Sequence, residues 1–132
     1  MNIKIFFSQQ SMNFLKTYNY PPESALKLLG RIESNFIRID AIVPFNMVSQ
    51  TNNSCSIAVL KEELIENVIG ILHTHPNGNI LPSDSDTKVM KELFSHREAA
   101  IFISEKKAGF WVIHPYIINE NSKMTMLDSV TI

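Results

Sequence analysis

The residues of this chain that could do chemistry gather in one stretch, His73-Thr74-His75-Pro76-Asn77-Gly78-Asn79-Ile80-Leu81-Pro82-Ser83-Asp84-Ser85-Asp86. Two imidazoles come first, then a turn rich in Pro, Gly and Asn, then Ser83 and Asp86. Just upstream, Val68-Ile69-Gly70-Ile71-Leu72 is a continuous apolar run with β-branched members, which predicts a buried strand. Side chains two apart on a strand share a face, so His73 and His75 converge while Thr74 points away. After Pro82, the residues Val89, Met90, Leu93 and Phe94 mark one apolar face of a helix. Asp86 lies three, four and seven residues before Val89, Met90 and Leu93, so it projects from that same face, toward the core. A carboxylate aimed inward needs a partner. Two imidazoles and one carboxylate leave a fourth position open, which is how catalytic zinc is held, with water in the open position.

The same residues have plainer readings. Ser83-x-x-Asp86 fits a helix capping box, and a His-x-His pair on a strand is more often structural or solvent-facing. The two pairs stand either side of one tight turn and both point inward, and that conjunction favours metal. Ser83 can cap the helix and still serve chemistry, whereas full capping and metal ligation are expected to compete for Asp86.

His-x-His-Pro, six residues, then Ser-x-x-Asp is filled without a gap by His73, His75, Pro76, Ser83 and Asp86. The pattern resembles the JAMM motif of the JAB/MPN metalloprotease family. The resemblance implies His73, His75 and Asp86 as the ligands of one zinc ion per chain, and Ser83 as a hydrogen-bond donor near the developing oxyanion. It also implies a glutamate on an early strand as general acid/base. Pro21, Glu23, Leu28 and Gly30 fall in register on the family's Pro-x-Glu-x-x-Gly-x-Leu-x-Gly, with Leu26 replacing the first Gly. Glu23 is therefore the expected acid/base. Glu33, past Gly30 at the turn Glu33-Ser34-Asn35, is the competitor and ranks below it.

Around these residues the chain supplies the elements that must position them. Residues 2–7 read as a strand and 9–18 as a helix, with Met12, Leu15 and Tyr18 on one face. Tyr20-Pro21-Pro22 stops that helix. Residues 22–32 read as a strand, with Leu26 and Leu28 alternating with Lys27, and 36–43 as its hairpin partner, ended by Pro44. A polar loop follows, then a strand from Cys55 to Leu60 and a charged connector from Lys61 to Asn67. Beyond the second helix come a strand at Ala99–Ser104, a turn at Glu105–Gly109 and a returning strand at Phe110–Ile113. Trp111 reads as core or groove wall, and His96 and His114 as non-ligands. Met124–Leu127 is a candidate edge strand in a segment, 116–132, expected as a peripheral tail. The fold class is α/β in the broad sense, or α+β. The resemblance implies a curved mixed β-sheet flanked by helices, JAB/MPN-like (cytidine-deaminase-like), as a single catalytic domain over residues 1–132.

Composition narrows the function classes. The chain has 132 residues, 45% hydrophobic and 19% charged, which suits one globular domain. Net charge is −1 with no basic run, which argues against affinity built on many phosphate contacts, so no nucleic-acid partner is expected. A lone cysteine, Cys55, excludes an internal disulfide and suggests a reducing compartment. With no membrane-length apolar run and no secretory signal pattern at the start, a cytoplasmic protein is expected.

A zinc-bound water has a pKa of about 7, so hydroxide is available at neutral pH for amide hydrolysis without a covalent intermediate. The resemblance implies a substrate bond at the C-terminus of a ubiquitin-like protein, either a sulfur carrier or a conjugate in an antiviral operon. E1/E2-like operon partners would accompany either. Two alternatives are a non-catalytic MPN scaffold and a RadC-like protein linked to DNA metabolism. The complete ligand set counts against the first. The absence of a basic patch and the Glu23 strand pattern count against the second.

Overall fold

The computed structural model describes residues 3–18, 25–44, 67–75, 80–94, 97–107, 109–121 and 123–132. The polar loop after Pro44, the expected Cys55–Leu60 strand, almost all of the charged connector, Cys55, Glu23 and His96 lie outside these residues.

Apolar alternation sets most of the sheet. Strand β1 (Lys4–Phe7) leads into helix α1 (Gln9–Thr17), and Ser8 caps that helix by accepting a hydrogen bond from the Ser11 backbone at 3.1 Å. Strands β2 (Ala25–Ile32) and β3 (Phe36–Pro44) form the expected antiparallel hairpin. Strand β4 (Val68–Thr74) is almost wholly buried, as its unbroken apolar run requires. Helix α2 (Asp84–Leu93) follows, then β5 (Ala99–Lys107), β6 (Phe110–Ile118), β7 (Met124–Met126) and β8 (Val130–Thr131).

These strands form one mixed sheet in the order β1-β3-β2-β4-β5-β6-β7, with β8 also on β6. The β1–β3 and β4–β5 pairs are parallel and the others antiparallel. Register shifts beside Leu29 let β2 bend against both neighbours. At Gly30, a Cβ would fall 1.8 Å from the Arg38 carbonyl oxygen, so only glycine permits that approach. The architecture is thus the curved mixed sheet with helices that the resemblance implies.

A hydrophobic cluster lies on each face. Leu15 of α1 joins Leu26, Leu28, Phe102 and Trp111 on one side, where the Trp111 indole N–H donates to the Leu15 carbonyl. Met90 and Leu93 of α2, with Phe94 just beyond it, join Ala25, Ile71, Ile101, Ile103 and Tyr116 on the other. Trp111 is therefore core.

Two expectations need correction. The turn placed at Glu105–Gly109 is shorter, because β5 continues to Lys107, which pairs with Phe110. Ser104 and Glu105 are buried there, and the exposed Lys106 and Lys107 stay in the ladder by pairing with Trp111 and Phe110. The segment expected as a peripheral tail is bound to the sheet. Tyr116–Ile118 end β6, and β7 and β8 both pair with β6. Leu127, Val130 and Ile132 pack against the core.

Candidate metal centre

The site forms where β4 ends. His73 on β4 and His75 just beyond it emerge on the face that α2 covers, and Thr74 between them is buried on the other side. The His75 backbone N–H donates to the Ser104 carbonyl at 3.1 Å, which extends the β4–β5 pairing past the formal strand end and fixes the ring's origin. The two imidazole rings meet edge to face, with centroids 4.9 Å apart and planes at 85°.

Helix α2 brings the third group. Ser83 is its N-cap, and its hydroxyl accepts from the Asp86 backbone N–H at 3.0 Å. Asp86 returns the bond, its Oδ2 accepting from the Ser83 backbone N–H at 2.8 Å. That is a complete capping box. The same Oδ2 lies 2.9 Å from His75 Nε2, and Oδ1 lies 3.8 Å from His73 Nε2. Full capping, expected to compete with ligation, thus leaves one oxygen of the carboxylate facing the histidines. Capping takes Oδ2, while Oδ1 faces His73 with no hydrogen-bond donor among the described residues.

One ligand atom from each of His73, His75 and Asp86 can be chosen with all three within 4.8 Å of one another. Side-chain exposure is 21% for His73, 4% for His75 and 9% for Asp86, so the group opens to solvent on the His73 side. Burial by itself would raise the Asp86 carboxyl pKa. The hydrogen bond with His75, the His73 charge, the Ser83 backbone N–H and the His75 charge outweigh it, and the carboxyl is held below its ordinary value. The carboxylate is thus kept anionic, as a ligand must be. Two imidazole nitrogens and a carboxylate oxygen, most of them out of water, could hold a divalent metal ion.

The remaining expected residues fall as follows. Ser83 is exposed at the rim, so its O–H can donate outward while its oxygen caps the helix. Glu23 lies outside the described residues, two positions before Ala25, the residue that pairs with His73 across β2 and β4. Glu33 is at the far end of β2, where its carboxylate lies 3.5 Å from Arg31 Nε. It lies eight positions beyond Ala25. At a rise of about 3.3 Å each, that puts Glu33 roughly 25 Å from the metal end of the strand. It cannot serve the site. His114 sits on β6 opposite Ile103 and is not part of the group.

Sequence reasoning missed Tyr116. It was assigned to the tail, yet its hydroxyl donates to the Ile80 carbonyl in the loop between His75 and Ser83, at 2.6 Å. No local pattern announces this, because the partners are 36 residues apart.

No curated protein matches the chain. It is similar in fold to a solution structure of a protein from Desulfitobacterium hafniense, with a TM-score of 0.59 at 16% identity, covering 96% of this chain and 90% of that one. It is likewise similar to a protein from Salinibacter ruber, with a TM-score of 0.53 at 16% identity, covering 93% of this chain and 88% of that one. Among the described residues, no helix is long and apolar enough to cross a membrane. Residues 10–129 match the family described as prokaryotic homologues of the JAB domain, nearly the whole chain and all of His73, His75 and Asp86, and the protein belongs to that family.

Proposed function

We propose that this protein is a zinc metallopeptidase that hydrolyses an amide or isopeptide bond at the C-terminus of a ubiquitin-like or sulfur-carrier protein. The convergence of His73, His75 and Asp86, with an anionic carboxylate and an open side, carries the reading. A bound zinc would supply a water made nucleophilic near neutral pH and a positive charge facing the scissile carbonyl. The protein's own groups do the rest. The capping box and His75 hold Asp86 in place, so the ligand needs little rearrangement. The Ser83 hydroxyl, exposed at the rim, donates to the oxygen on which charge develops. Glu23 takes the proton from water and returns it to the leaving amine. Its place two residues before the partner of His73 supports that role, and Glu33 is too distant to replace it.

A Gly-rich tail suits such a site because glycine lets the backbone approach closely. Added as a strand at a sheet edge, such a tail gains main-chain hydrogen bonds with little side-chain selection. Specificity then comes from the folded body of the ubiquitin-like partner. Elemental analysis of the purified protein and mass spectrometry of a ubiquitin-like fusion test the proposal together. We expect about one zinc per chain and a cut directly after the terminal Gly. Absence of zinc would leave a non-catalytic scaffold. Efficient cutting of unrelated unfolded chains would remove the substrate class.

A further inference from the structure

We propose that Tyr116 is a positioning residue for the metal centre, its hydroxyl pinning the loop that delivers Ser83 and Asp86. The inference rests on the function proposed above for its chemical consequence, but the tether itself can be tested without metal.

Tyr116 stands near the end of β6, between Ile101 of β5 and Met126 of β7. The residue is 4% exposed and packs in the cluster that α2 covers. The hydroxyl reaches out of that cluster to the Ile80 carbonyl. Burial raises the phenol pKa, so the group keeps its proton and remains a donor at neutral pH.

What makes this bond a positioning device is where it acts, on the backbone of Ile80, three residues before the N-cap Ser83. The Ile80 side chain is 39% exposed, so burial of apolar area anchors it weakly. The polar tether runs instead to a rigid strand of the sheet. From Ile80 only Leu81 and Pro82 intervene before the N-cap Ser83. Proline fixes its own φ and restricts the residue before it, so the link is stiff. A displacement at Ile80 therefore passes to Ser83. The reciprocal bonds between Ser83 and Asp86 carry it on to the carboxylate that faces His73 and His75. A ligand pair on a strand and a ligand on a helix are thus registered through a third element, β6.

The test compares wild type, Tyr116→Phe and, as a control, Ile118→Val, a small truncation in the same cluster. Tyr116→Phe keeps the ring and removes only the donor. Hydrogen exchange on metal-free protein reads the tether, and zinc titration against a competing chelator reads the site. For Tyr116→Phe we expect faster exchange across residues 80–86 and zinc affinity lower by roughly 10-fold to 100-fold, the range typical of groups that orient ligands. Ile118→Val should lower the melting temperature and move neither readout. Unchanged exchange in Tyr116→Phe would overturn the tether. Faster exchange with wild-type zinc affinity would overturn the positioning role, as would an equal loss of affinity in Ile118→Val. A wild-type protein that binds no zinc would instead overturn the proposed function, and exchange alone would then decide whether Tyr116 holds the loop.

Discussion

Asp86 both caps α2 and faces the two histidines, and replacing it should separate those tasks. Asp86→Ala removes the acceptor for the Ser83 backbone N–H and the partner of His75 Nε2, at a site 9% exposed. Losing a side-chain cap contact costs about 1 kcal/mol. Leaving a buried imidazole nitrogen without its partner costs about 1–2 kcal/mol more. The sum is about 2–3 kcal/mol in metal-free protein. With an unfolding entropy of about 2.1 cal/mol/K per residue over 132 residues, each kcal/mol lowers Tm by roughly 3.6 °C. Asp86→Ala should therefore melt roughly 7–11 °C below wild type. Asp86→Asn keeps an oxygen that can accept from Ser83 but loses the charge, so its Tm should fall by only about 4 °C, for about 1 kcal/mol. Zinc affinity should collapse in both variants, because a neutral amide oxygen is a poor ligand for the ion. Calorimetry of metal-free protein and chelator competition give the two readouts. Wild-type zinc affinity in Asp86→Asn would refute the ligand assignment. A wild-type Tm in Asp86→Ala would refute the capping account.

Glu23→Gln should retain zinc and fold while turnover falls roughly 10²–10⁴-fold, and Glu33→Gln should be nearly silent; steady-state assays with the two results reversed would move the acid/base to Glu33. The Asp86 carboxyl is held below its ordinary 3.8, so its ionised form stabilises the fold above that pH and the contribution is lost as pH falls through the lower folded value. Acid unfolding curves of metal-free wild type and Asp86→Asn should therefore converge below pH 3.8, and a gap that stays constant there would remove the charge from the explanation. Gly70→Ala would place a Cβ 1.9 Å from the Ala100 carbonyl oxygen and force β4 and β5 apart. Overpacking of this kind costs about 1–3 kcal/mol, so thermal melting should show a clear drop, and an unchanged Tm would contradict the strand spacing.

The sequence by itself determined which three residues, His73, His75 and Asp86, come together and the faces they occupy. Strand and helix periodicities are local, so His73-x-His75 after an apolar run and Asp86 ahead of Val89, Met90 and Leu93 already imply convergence. The hairpin of β2 and β3 and the helix start at Ser83 were legible for the same reason. Tertiary structure decided what depends on distant partners. Glu23 and Glu33 are alike as residues, and only the pairing of Ala25 with His73 shows which end of β2 lies near the metal centre. The polar end of β5 reads as a turn locally, yet the ladder with β6 holds it as strand through Lys107. The segment after Tyr116 reads as a tail until β7, β8 and Ile132 are seen paired or packed against β6 and the core. In the sequence the capping box and the metal ligand read as rivals because a one-dimensional pattern treats a carboxylate as one acceptor. Its two oxygens point in different directions, and only their placement against Ser83, His75 and His73 shows that Asp86 completes the cap while Oδ1 still faces His73.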